Sequence, residues 1–129
     1  MAKSSQLRPT GAELDILRIL WDRGPSTVRE VHEILNKAKL TGYTTVLKLM
    51  QIMAEKGSVR RDEDQRAHVY AARRPQGQTQ QQLVGDLLDR AFGGSASELV
   101  MQALSAGKAT PAELTKIRQL LDEYERGAK

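Results

Sequence analysis

Apolar residues recur with a helical period along most of the chain, and the points where the period stops divide it into elements. The first run opens at Thr10-Gly11-Ala12-Glu13, where the threonine hydroxyl can cap free backbone N–H groups and the glutamate three residues on can reach back. Leu14, Ile16, Leu17, Ile19, Leu20 and Trp21 then cover more than one helical face. That predicts a central helix, with Trp21 in the core, stopped by Gly24-Pro25. A second capping box, Thr27-Val28-Arg29-Glu30, opens a short helix with Val31, Ile34 and Leu35 on one side and Arg29, Glu33 and Lys37 on the other. A third helix is predicted from Tyr43 to Lys56, ending at Gly57. Its Val46, Leu49, Met50 and Met53 share one face, and Thr44, Lys48 and Gln51 lie opposite.

The period then changes. Ser58-Val59-Arg60-Arg61, the polar turn Asp62-Glu63-Asp64-Gln65, and residues 66–72 with Val69 and Tyr70 read as a two-stranded hairpin. Three helices followed by a hairpin is the winged variant of the helix-turn-helix. The Pro, Gly and Gln content of residues 73–82 marks a boundary. Beyond it Leu83, Val84, Leu87, Leu88, Ala91 and Phe92 form one helical face, broken by Gly93-Gly94. Ser95 or Ser97 caps the next helix, which carries Leu99, Val100, Ala103 and Leu104 and breaks near Gly107. Thr110-Pro111-Ala112-Glu113 opens the last helix with a capping box and a proline at its first position. Leu114, Ile117, Leu121 and Tyr124 then follow at 3, 4, 3 spacing, an a/d seam of about two heptads. Three short helices in about 50 residues cannot bury so much apolar surface alone, so a second copy of the chain is the simplest partner, with Leu87, Leu88, Leu99 and Val100 joining the seam. The expected fold is therefore mainly α with a small β-hairpin: a winged helix-turn-helix domain over residues 7–74 and a helical dimerisation domain over residues 79–126.

Composition narrows the function. The 129 residues are 40% hydrophobic and 28% charged, which places the chain in the globular rather than the disordered class. No cysteine is present, so disulfides, thiolate zinc sites and cysteine nucleophiles are excluded. No apolar run approaches a membrane span and residues 1–9 lack a signal-peptide core, which makes a cytoplasmic location the expectation. Residues 1–74 contain 14 Lys+Arg against 9 Asp+Glu, a net +5, whereas residues 75–129 contain 6 against 7, a net −1. A positive balance confined to one domain is the footprint of a polyanion partner.

On that reading the third helix enters the major groove of double-stranded DNA. Thr44, Thr45 and Lys48 are presented to bases and phosphates from its N-terminal half. Leu47, at the border of the exposed face, either packs at the rim or touches a thymine methyl; Gln51, farther along, contacts a phosphate or is simply solvated. Tyr43 either sets its hydroxyl on a phosphate or packs against the first helix. Arg60, Arg61 and Arg66 flank the wing, where arginines grip phosphates; the bland alternative is a solvated hairpin paired with Asp62, Glu63 and Asp64. Those acids at the tip shift the expected contacts to Arg66 and His68 on the returning strand. His32 and His68 have no carboxylate at metal-ligand spacing and read as surface histidines, so no metal or cofactor is expected, and no nucleophile or paired-acid motif suggests an enzyme. The rival reading is a winged-helix module whose third helix docks a protein.

The ordered set of local sequences resembles the penicillinase-repressor family of BlaI/MecI-type winged-helix regulators. The resemblance rests on the opening run Leu7 through Leu14, on Leu20-Trp21-Asp22-Arg23-Gly24-Pro25, and on Tyr43-Thr44-Thr45-Val46 with Glu55-Lys56-Gly57. It continues in Arg66-Ala67-His68-Val69-Tyr70 and Phe92-Gly93-Gly94-Ser95. It implies a homodimeric repressor on palindromic operators, released in some members when a membrane metalloprotease cuts the C-terminal part. The family's Asn-Phe cut site corresponds here to Gln102-Ala103, a departure from that pattern. Copper-responsive relatives sense metal through C-terminal cysteines, which this chain lacks.

Overall fold

The computed structural model describes residues 8–64, 66–107 and 109–127. Leu7, where the first domain and the family-like opening run begin, and Gln65 of the predicted turn lie outside the described residues. The chain divides into two compact units between Leu83 and Val84.

The first unit opens with α1 (Gly11–Arg23), followed by a two-residue strand β1 (Ser26–Thr27), α2 (Val28–Ala38) and α3 (Tyr43–Lys56). Two further strands, β2 (Val59–Asp62) and β3 (Val69–Ala72), complete the winged helix-turn-helix. Thr10 and Thr27 each close a full capping box, with Glu13 and Glu30 reaching back. The Thr27 backbone N–H bound to Glu30 holds that carboxyl below the usual carboxylate range; partial burial opposes this, and Arg23 at 3.3 Å supports it. Gly57 ends α3 at φ 83°, a left-handed conformation that a glycine adopts without strain, and this reversal delivers the chain into β2.

The predicted two-stranded hairpin is in fact part of a three-stranded sheet of order β1-β3-β2. β1 pairs antiparallel with β3 through Ser26 opposite Tyr70 and Thr27 opposite Val69, and β2 pairs with β3 from Val59 opposite Ala72 to Asp62 opposite Val69. The core is Ile16, Leu17 and Leu20 of α1, Val28 and Val31 of α2, Val46, Met50 and Met53 of α3, and Val59 and Tyr70 of the sheet. Trp21 is not within it but at its edge, half-buried, with Nε1 donating to the Arg74 carbonyl at 2.9 Å, so it ties α1 to the segment after β3. An indole N–H needs such an acceptor, which explains its displacement from the apolar centre.

One ion pair ties the start of α1 to the end of α3. Lys56 Nζ lies 2.7 Å from Glu13 Oε1, and the Glu13 side chain is only 4% exposed against 23% for Lys56. The same carboxylate accepts the Thr10 N–H at 3.1 Å. Glu13→Ala removes both bonds and leaves the lysine beside apolar surface. A fully buried pair broken this way costs about 3–5 kcal/mol, and because Lys56 keeps access to water we expect about 2–3 kcal/mol. A denaturation curve indistinguishable from the native one would contradict this.

The segment read as a boundary is helical from Gln76: α4 (Gln76–Ala91) starts directly after Pro75, and its Thr79 is buried. The second unit contains the rest of α4 and then α5 (Ala96–Ser105) and α6 (Pro111–Gly127). Ser95, not Ser97, is the α5 cap, accepting the Glu98 N–H at 3.2 Å, and Thr110 and Glu113 form the capping box of α6. No residue of α5 or α6 is buried in the single chain.

Candidate nucleic-acid interface

The wheel of α3 sorts its side chains into three sectors. Val46, Met50 and Met53 are buried against the core, while Thr44, Lys48 and Gln51 project into solvent on the opposite side. Tyr43, Leu47 and Gln51 occupy the sector next to the sheet. There they line a groove of about 520 Å³ together with Arg29, Arg61, Arg66 and His68. Leu47 is half-buried and packs on the core while lining this groove. Tyr43 packs edge-to-face on His32 of α2, with ring centroids 5.6 Å apart. His32 is accordingly no free surface histidine: it is half-buried, and its Nε2 donates to the Thr41 carbonyl at 2.8 Å, pinning the turn that leads into α3.

Strand alternation explains which wing arginine reaches the groove. Val59 is buried toward α3, so Arg61, two residues on, shares its face, while Arg60 points to the other. Arg61 is paired in register with Tyr70, and the Tyr70 side chain, with the Glu63 carboxylate beside it, holds Arg61 more firmly protonated. The Arg61–Glu63 separation is 2.6 Å. Arg66 and His68 are not on the returning strand: β3 begins at Val69, and both residues sit in the exposed turn before it. The turn both starts and ends later than its four charged and polar residues suggested: Asp62 remains in the ladder opposite Val69, and residues 66–68 precede β3.

Six of the ten expected DNA-contacting residues thus line one groove, and Thr44 and Lys48 stand on the exposed side of the helix that borders it. Two stand apart. Arg60 faces away, and Thr45 lines a separate hollow of about 810 Å³ with Leu49 and residues of α1 and α2. Arg29 joins the groove without having been singled out in the sequence. Its signal was the Thr27 cap, which fixes it in the exposed first turn of α2. Lys48 and Arg66 have no ionic or hydrogen-bonding partner among the described residues.

The expected dimer residues are all in the second unit. Leu87, Val100, Leu114, Leu121 and Tyr124 are exposed, the last at 74%, and Leu88, Leu99 and Ile117 are half-buried. No group of histidine, cysteine or carboxylate side chains among the described residues is arranged to hold a metal ion.

The penicillinase repressor family model matches residues 9–123. Over 72 residues the chain is 42% identical to the transcriptional regulator BlaI of Mycobacterium tuberculosis (strain CDC 1551 / Oshkosh), a match covering 55% of this chain and 51% of that one. The chain thus aligns with about half the length of this relative. It is 20% identical over 118 residues to the penicillinase repressor of Bacillus licheniformis, with 92% of each chain covered. Among solved structures, the solution structure of the DNA binding domain of the repressor BlaI gives a TM-score of 0.49 at 20% identity, covering 54% of this chain and 84% of that one.

Proposed function

The chain belongs to the penicillinase repressor family, and on that premise we propose that it represses transcription by binding a palindromic operator as a homodimer, with α3 in the major groove and the wing along the flanking phosphates. The observation that carries this reading is the juxtaposition of Lys48, on the open face of α3 and without a partner among the described residues, with a groove that collects Arg29, Arg61, Arg66 and His68. A cationic groove beside an exposed polar helix suits a duplex, in which base edges lie between two rails of phosphate.

Lys48 and Thr44 are the base-reading pair in this proposal, and Arg66 and Arg29 hold phosphates. Dimerisation through the second unit spaces two copies of α3 by one helical turn of DNA, about 34–36 Å. Release follows from cutting near Gln102-Ala103 by a membrane metalloprotease sensor. That bond lies within α5, which is exposed and has no buried residue in the single chain, so local opening to a protease is inexpensive. Repression of this kind is carried out in the cytoplasm, and no described helix is long and apolar enough to cross a membrane.

Arg66→Ala tests the phosphate role. It should weaken binding to specific and random duplexes alike and flatten the dependence of log K on log salt by about one unit for each phosphate no longer neutralised. Affinity and slope both unchanged would remove Arg66 from the interface.

A further inference from the structure

The wing carries a feature that a simple phosphate-gripping hairpin does not need. Arg61 is the cation that strand alternation delivers into the groove next to Gln51, yet its guanidinium is already paired with a carboxylate. Glu63 meets it at 2.6 Å from the wing loop, and Tyr70, a residue 1% exposed, is its cross-strand neighbour within the sheet. Glu55 of α3 lines the neighbouring hollow with Gln51 and Arg61, so a second carboxylate faces the same space. Lys48 and Arg66, by contrast, have no partner among the described residues.

We propose that Glu63 is a specificity-determining residue that holds Arg61 in reserve, so that this arginine engages DNA only where α3, seated in its operator, brings a phosphate close enough to displace the carboxylate. The proposal rests on the DNA-binding reading above. An arginine neutralised inside the protein releases no counterion from DNA when the wing approaches, and its partner carboxylate repels the nearest phosphate. On random duplex the phosphates have no fixed register, and the carboxylate two residues along the chain is always at hand. On the operator the register is set by α3, and a phosphate held in place competes with Glu63 on equal terms. Both side chains retain solvent access, 35% for Arg61 and 53% for Glu63, so the pair is weak enough to open.

The test uses the full chain in four forms, native, Glu63→Gln, Arg61→Ala and the double variant, each checked by circular dichroism. Binding is measured across a salt series on a random-sequence duplex and on a duplex selected by the native chain from a random pool. Glu63→Gln should bind the random duplex about three- to tenfold more tightly, with a salt slope steeper by about one unit per protomer, and should gain less on the selected duplex, so that discrimination falls. Arg61→Ala alone should weaken the selected duplex more than the random one, and in the double variant it should abolish the gain from Glu63→Gln. The proposal is overturned if Arg61→Ala by itself flattens the slope on the random duplex by a full unit, if Glu63→Gln leaves random-duplex binding unchanged or weaker, or if its gain survives without Arg61. Any of these results with a native chain that binds both duplexes refutes the reserve role alone, whereas a native chain that binds no duplex at low salt refutes the DNA-binding reading together with it.

Discussion

Ile117→Asp combined with Leu121→Asp is expected to turn a dimer of twice the 14.3 kDa chain mass into a monomer and to weaken operator binding by about 10²–10⁴-fold. The seam Leu114, Ile117, Leu121 and Tyr124 runs along α6, and in the single chain Leu121 is 59% and Tyr124 74% exposed. Each such side chain stabilises a dimer by about 1.5–3 kcal/mol when fully covered, and a carboxylate placed in an apolar seam opposes association by several kcal/mol more. The affinity loss follows from connectivity. Two linked half-site contacts act at a high effective concentration, and a monomer keeps only one. The core of the first unit contains none of these residues, so the variant isolates assembly from the folding of that unit. Sedimentation showing the native chain to be a monomer at tens of micromolar would contradict the dimer, as would a doubly substituted chain that still sediments as one.

Lys48→Ala is expected to cost roughly 1–3 kcal/mol per half-site and to relax the preference for particular bases at the position it reads. Lys48 is exposed on the side of α3 opposite Val46, Met50 and Met53, so its removal exposes no core and leaves no buried group without a partner. The loss should therefore appear on the selected duplex and be far smaller on random DNA. Arg66→Ala should show the opposite pattern, an equal loss on both. If Lys48→Ala weakens both equally, this lysine holds a phosphate, and base reading passes to Thr44 and its neighbours.

The helices were legible in the sequence because their signals are local. Thr10, Thr27 and Thr110 each sit three residues before a glutamate, and Gly57 follows the last apolar residue of α3 at the distance a left-handed stop requires, so α3 runs from Tyr43 to Lys56 in both readings. The features that were not legible depend on partners far along the chain. β1 has two residues and exists only because Ser26 and Thr27 meet Tyr70 and Val69. Glu13 and Lys56 are 43 positions apart, and Trp21 finds its acceptor 53 positions away. Residues 76–82 looked like a boundary because Pro75 and Gly77 punctuate them, yet proline suits the position just before a helix, and glutamine is a good helix former. In the interface, the face of α3 carrying Thr44, Lys48 and Gln51 was readable from its period. The placement of Arg60 and Arg61 on opposite faces, and the entry of Arg29, needed the register of the sheet and the packing of α2.

The central claim, that two copies of α3 read a duplex, is tested most directly by selecting bound duplexes from a random-sequence pool with the full native chain and sequencing them. Enrichment of an inverted repeat is expected, with half-sites about 10–10.5 base pairs apart and a log K that falls linearly and steeply with log salt. A pool that emerges unenriched, with no salt-sensitive retention of any duplex, would contradict it and assign the exposed face of α3 to a protein partner instead.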